Sequence, residues 1–110
     1  MAQKAKLIHV LLNLIKNAKE AILADPSNKK ILTIEAGTNN DGKIFIKLSD
    51  TGIGVAKENL EKIFNHGFTT KLGGHGFGLH YCANALTEMN GKISAESAGP
   101  GKGTAFTISF

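Results

Sequence analysis

Across residues 5–24 the apolar side chains Leu7, Val10, Leu11, Leu14, Ala18, Ala21 and Ile22 recur every three or four positions, and Asp25-Pro26 ends the run. That period predicts one long amphipathic helix, and a residue placed before proline is driven out of the α region, so the helix stops there. A helix striped in this way must bury its apolar face against something, and the rest of the chain reads as a sheet. Residues 31–36 and 43–49 alternate in strand fashion around Asn39-Asn40-Asp41-Gly42, whose residues tolerate left-handed turn conformations, and form a hairpin. Residues 56–64 read as a short helix. Residues 78–90 read as a longer one, with Leu79, Cys82, Ala83, Leu86 and Met89 inward and Gly91 as its stop. A second hairpin, residues 92–97 and 104–110, closes the chain through Gly99-Pro100-Gly101-Lys102-Gly103 and sets Phe106, Ile108 and Phe110 on one face. The expected fold class is α+β: a two-layer α/β sandwich with helices on one face of a mixed, mostly antiparallel sheet.

Composition removes several function classes. The chain has 110 residues, room for one core and no second domain. Its single cysteine, Cys82, rules out a disulfide framework or a multi-cysteine metal site and suits a reducing compartment. No apolar run approaches the roughly 20 residues of a membrane span, and the opening residues carry no signal-peptide core. The formal charge of +4 comes from lysine alone. Arginine supplies the bidentate base contacts favoured in sequence-specific nucleic-acid binding, and these lysines are scattered rather than interleaved with aromatics, so no nucleic-acid partner is expected. The excess sits in the first 30 residues, where Lys4, Lys6, Lys16, Lys19, Lys29 and Lys30 face only Glu20 and Asp25. It reads as a solvated helix face, with an anionic ligand or acidic partner as the other possibility.

Three segments carry chemistry. Asn13 and Asn17 stack one turn apart on the first helix, followed by Glu20 at nearly the same angle. Amides buried there would need backbone, water or ligand partners. Asp50-Thr51-Gly52-Ile53-Gly54 directly follows a strand, and a carboxylate so held can accept from an exocyclic amine while glycine lets backbone approach a flat ring. A plain turn is the competing reading. The third segment runs from Phe68-Thr69-Thr70-Lys71 through Gly73, Gly74, His75, Gly76, Phe77 and Gly78 to Leu79, glycine-rich backbone ahead of a helix start. Such backbone offers unpaired N–H groups and a positive dipole end to phosphate oxygens, and Lys71 adds a charge. It fits neither the P-loop nor the dinucleotide fingerprint.

In this order the segments resemble the ATP-binding catalytic domain of sensor histidine kinases, in the superfamily that includes gyrase B, Hsp90 and MutL. The N-box appears as Asn13-Leu14-Ile15-Lys16-Asn17-Ala18, the G1 box as Asp50 to Gly54, the F-box as Ile63-Phe64 through Phe68-Thr69-Thr70-Lys71, and the G2 box as Gly74-His75-Gly76-Phe77-Gly78-Leu79. Gly101-Lys102-Gly103-Thr104 resembles the last glycine box, and the boxes together span nearly the whole chain.

The resemblance implies a Bergerat-type sandwich that binds ATP and Mg²⁺. By that analogy Asp50 accepts from the adenine amino group, Gly52, Ile53 and Gly54 flank the base, and Thr104 helps on the adenine side. Asn17 holds Mg²⁺. Gly74, Gly76 and Gly78 hold the phosphates with Lys71 nearby, and Phe68, Thr69, His75, Phe77 and Leu79 complete the nucleotide site. Asn13, Asn17 and Lys71 carry the catalytic role. Hydrolysing relatives place a glutamate at the position of Asn13, and an amide cannot act as a general base, so phosphoryl transfer is favoured over hydrolysis. The partners implied are a dimerisation domain bearing the acceptor histidine and, downstream, a response regulator. None of His9, His66, His75 and His80 fits the acceptor pattern. The chain therefore reads as one cytoplasmic domain, residues 1–110, excised from a longer sensor kinase that other segments could anchor in the inner membrane. The relatives' extra leading strand is absent from it, which would leave a sheet edge open. Departures are His75 and Phe77 in the G2 box, a short segment between Phe68 and Gly74, and Glu20 where many relatives have lysine. The alternatives are a nucleotide-binding regulatory module without transfer activity and, more remotely, a serine kinase of the anti-sigma type.

Overall fold

The computed structural model describes residues 2–25, 30–60, 62–64 and 78–110. Two α-helices, α1 (Ala2–Ala24) and α2 (Gly78–Glu88), cover one face of four strands, β1 (Leu32–Thr38), β2 (Ile44–Asp50), β3 (Lys92–Glu96) and β4 (Thr104–Ser109). The strand order is β1-β2-β4-β3. Every pairing is antiparallel among the described residues, in line with the mostly antiparallel sheet expected, because both hairpins fold back directly and β2 runs opposite to β4.

The first hairpin closes as its turn residues predict. The Asn39 side-chain oxygen accepts from the N–H groups of Asp41 and Lys43, both at 3.0 Å, an Asx turn that leaves Gly42 in the left-handed region. The short helix expected over residues 56–64 is instead a single 3-10 turn, Lys57–Asn59, with Leu60 N–H and Lys62 N–H bonded three residues back. Helix α2 stops at Glu88, ahead of the expected end. Asn90, not Gly91, takes the left-handed conformation (φ 59°), and Gly91 N–H bonds to the carbonyl of Leu86 at 2.7 Å.

Strand alternation fixes what faces the helices. On the inner face β2 and β4 pair Asp50 with Thr104, Leu48 with Phe106 and Ile46 with Ile108. Helix α1 packs on β2 and on α2, and α2 packs on β3. The core is Val10 and Leu14 from α1, Cys82, Ala85 and Leu86 from α2, Leu48, Phe106 and Ile108 from the sheet, and Ile63. The helix periodicity is thus borne out, with Val10, Leu14, Ala18 and Ala21 buried. Cys82 Sγ lies 3.7 Å from the carbonyl of Val10, and burial pushes its thiol pKa up to about 12 against the smaller opposing pull of a backbone hydrogen bond. Ile8, Leu12, Ile15 and Leu23 on the outer flank of α1, and Ile34 and Ile44 on the inner face of the sheet, stay exposed.

Candidate functional site

The apolar ladder between β2 and β4 ends in a polar rung. Asp50 and Thr104 are the buried polar side chains among the described residues, each 7% exposed. They are cross-strand partners, so both side chains emerge on the inner face, beyond Leu48 and Phe106. A carboxylate is costly to bury unless hydrogen bonds compensate it. Gly52 N–H supplies one, donating to Asp50 Oδ1 at 2.8 Å, and a carboxylate has further acceptor positions.

The backbone beyond Asp50 is pinned to α1. Ile53 N–H donates to the carbonyl of Ala21 at 3.1 Å, and Gly52 lies so close that a Cβ there would stand 2.7 Å from that oxygen. Only glycine permits the approach. Asn13, Asn17 and Ala21 form one i, i+4 row along α1, so Asn17 sits about 6 Å and Asn13 about 12 Å along the axis from the Asp50 turn. Both amides are half-buried, and Glu20 is exposed. Thr51 ties the other side, where its Oγ1 accepts from Ile31 N–H at 2.9 Å.

The loop between β3 and β4 forms the opposite wall. Gly101 N–H bonds to the carbonyl of Ile53 at 2.6 Å and Gly103 N–H to that of Gly52 at 3.2 Å. Gly103 has φ 75°, and a Cβ on it would overlap the carbonyl oxygen of Asp50. The structure therefore brings together Asp50, Gly52, Ile53, Gly54 and Thr104, with the Asn13–Asn17 row leading away. Gly78 and Leu79 open α2, and the Leu79 side chain packs against the core. Phe68, Thr69, Lys71, Gly74, His75, Gly76 and Phe77 lie outside the described residues. A depression of about 430 Å³ at this end of the sheet is lined by Ser49, Glu96, Lys102 and Ala105 among others. Ser49 and Ala105 pair next to Asp50 and Thr104 and alternate to the outer face.

Sequence reasoning passed over three contributors. Ser97 bonds to both walls, Ala21 receives the turn, and the ring of His80 bonds through both nitrogens. Its Nδ1 lies 3.2 Å from the carbonyl of Phe64 and its Nε2 3.1 Å from the amide of Asn84, a pattern met when Nδ1 carries the proton. His9 packs against Tyr81 with ring centroids 4.6 Å apart and the planes tilted by 42°. The Ser97 signal was present as a serine two residues before Gly99-Pro100, the start of a serine turn.

The chain is 39% identical over 107 residues to the sensor histidine kinase ZraS of Klebsiella oxytoca, covering 97% of this chain and 22% of that protein. It thus spans about a fifth of the length of that relative, and 20% of the sensor protein CitS of Halalkalibacterium halodurans, to which it is 35% identical. Among solved structures, the catalytic domain of histidine kinase ThkA superposes with a TM-score of 0.76 at 30% identity, covering 96% of this chain and 66% of that one. Full-length ShkA in complex with AMPPNP superposes at 0.81 and 25% identity, covering 94% of this chain and 21% of that one. The description histidine kinase-, DNA gyrase B-, and HSP90-like ATPase matches residues 2–110. The chain belongs to that ATPase family, as a catalytic domain of the sensor histidine kinase type.

Proposed function

We propose that this chain is the ATP-binding part of a longer sensor kinase, which binds ATP with Mg²⁺ and donates the γ-phosphoryl group to a histidine on a separate dimerisation domain. The observation that carries it is the buried Asp50–Thr104 rung, a polar pair at the end of an apolar ladder, set between a turn and a loop whose glycines pack backbone against backbone. Asp50 accepts from the adenine amino group, Thr104 adds a hydroxyl, and Gly52, Ile53 and Gly54 line the base. The row of Asn17 and Asn13 carries the phosphate end away from it. The amide oxygen of Asn17 is a hard donor of the kind Mg²⁺ takes singly beside phosphate and water. When bound there, Mg²⁺ would neutralise phosphate charge. Lys71 and the backbone of Gly74, Gly76 and Gly78, with Phe68, Thr69, His75, Phe77 and Leu79 around them, are assigned to the phosphates by resemblance. Asn13, without a basic group, positions rather than deprotonates, which favours transfer over hydrolysis. The downstream partner is a response regulator, and this domain works in the cytoplasm. No helix among the described residues is long and apolar enough to cross a membrane.

Calorimetric titration with ATP, GTP and adenosine, with and without Mg²⁺, tests the binding, and a dimerisation domain from a related kinase tests the transfer. ATP binding strengthened by Mg²⁺, and an acid-labile label on the supplied histidine, are expected. Equal affinity for ATP and GTP would sink the adenine assignment. ATP binding without labelling would leave a regulatory nucleotide module, and robust phosphate release by the chain alone would move it toward the hydrolytic relatives.

A further inference from the structure

The two walls beside Asp50 are joined through one side chain. Ser97 Oγ donates to the carbonyl of Gly103 at 2.6 Å and accepts from the N–H groups of Val55 at 3.1 Å and Gly99 at 3.2 Å. The carbonyl of Gly99, at 3.3 Å, is a longer alternative acceptor for the same proton. A hydroxyl owns one proton and two lone pairs, and here all three are spent on backbone. Val55 directly follows the D-x-G-x-G turn, and Gly99 and Gly103 belong to the β3–β4 loop that ends at Thr104, so the bonds of Ser97 reach both loops that flank the buried rung. Backbone bonds from Gly101 to Ile53 and from Gly103 to Gly52 run alongside. Gly54 and Gly99 meet so closely that a Cβ on Gly54 would overlap the Gly99 carbonyl oxygen. The loops are interlocked backbone to backbone, with Ser97 as the tie whose chemistry a substitution can remove.

We infer that Ser97 is a positioning residue for base recognition, holding the Gly52–Val55 and Gly99–Thr104 segments at the spacing Asp50 and Thr104 need to grip the ring. This rests on the adenine reading of Asp50 given above. Ser97 does not touch the ligand and acts by preorganisation. Without the tie the two walls sample other separations, and binding must then restore the competent one.

The test is calorimetric titration of the 110-residue chain with adenosine, and separately with tripolyphosphate and Mg²⁺, for wild type, Ser97→Ala and Ser97→Thr. It is run at a temperature where circular dichroism shows each folded. Ser97→Ala is expected to weaken adenosine about tenfold while leaving tripolyphosphate nearly unchanged, and Ser97→Thr, which keeps the hydroxyl, to recover most of the loss. A merely structural serine would lower the unfolding temperature without changing the ratio of the two affinities, and that result overturns the inference. If Ser97→Ala does not fold, hydrogen exchange on the wild-type chain decides. Saturating adenosine should raise protection at Val55, Gly99 and Gly103 together with Gly52, whereas protection confined to Gly52 and its neighbours overturns the tie. Wild type that binds no adenosine fells the base-site reading and this inference with it. Wild type and Ser97→Ala that bind it equally fell the inference alone.

Discussion

Strands β4 and β1 make the same promise and meet different fates. Each alternates, and each sends large apolar residues to the helix side: Phe106 and Ile108 on β4, Leu32 and Ile34 on β1. Yet Phe106 and Ile108 are 2% and 0% exposed, whereas Ile34 is 55% exposed. The residue types do not explain this, since isoleucine occurs in both sets. The roof does. Strand β4 lies between β2, under α1, and β3, under α2, so both helices shelter it, while β1 is the outer edge, where Leu32 still packs against the core and Ile34 lies beyond the helices. Alternation decides which face a side chain joins, and the position of the helices decides what that face gains in free energy.

The largest effect is expected from hollowing out the covered side of the sheet. Phe106 packs edge-on to Phe64, with ring centroids 6.2 Å apart and planes at 79°, and reaches the centre of the core. Phe106→Ala should cost about 3–5 kcal/mol in urea denaturation, a large share of the roughly 5–15 kcal/mol a domain has to lose. A loss under about 1 kcal/mol would mean that the core is not centred on β4.

Next in size is the polar end of the same strand pair. Asp50→Asn keeps an oxygen for Gly52 N–H, so the turn should hold, but it removes the charge proposed to read adenine. ATP affinity should fall by about 1.5–3 kcal/mol, and discrimination against GTP should shrink with it. Unchanged ATP binding by the folded variant would take the base elsewhere.

What could be read before folding, and what could not, follows the same division. The period of α1, the Asn39–Gly42 turn and the alternation of β4 are local, and the structure keeps all three. The adjacency of Asp50 to Gly52 and Gly54 was visible as a motif. Its partnership with Thr104, far along the chain, came only through resemblance, because register between β2 and β4 depends on tertiary pairing. Coverage was the least legible property. Nothing in the alternation of residues 31–36 distinguishes an edge beyond the helices from a strand beneath them. How deeply Asn13 and Asn17 are buried was left open by the helix pattern; they sit at the flank of the apolar stripe and are half-buried. Asn90 took the left-handed residue's part from Gly91, since asparagine also tolerates that conformation.

A smaller effect probes the covered side through pH. The Cys82 thiol is buried between the helices, and burial raises its pKa from 9.0 to about 12. A group whose folded pKa lies above its unfolded value contributes its full stability below the unfolded pKa and loses it as pH climbs toward the folded one. The window here runs from about 9 to about 12. Relative to Cys82→Ala, the wild-type chain should lose roughly 1 kcal/mol of stability between pH 9 and pH 10, read from urea midpoints. Iodoacetamide at pH 8 should leave the native thiol unmodified and label it once urea unfolds the chain. Rapid native labelling would place Cys82 in contact with solvent and contradict the packing of α1 on α2.

The smallest effect is expected where the roof ends. Threonine keeps the β-branch and the strand preference of isoleucine, so Ile34→Thr changes little except apolar area, and at this site half of that area already faces water. Its cost should stay within about 0.5 kcal/mol, in contrast to Ile108→Thr, which places a hydroxyl in the closed part of the core and should cost several times more. Denaturation of both variants at two protein concentrations checks this. A loss above about 1.5 kcal/mol at Ile34 that grows with protein concentration would mean that another copy covers the edge of β1 in solution, as open strand edges invite. The same loss without concentration dependence would mean that β1 is sheltered within its own chain, and the contrast between the two strands would then collapse.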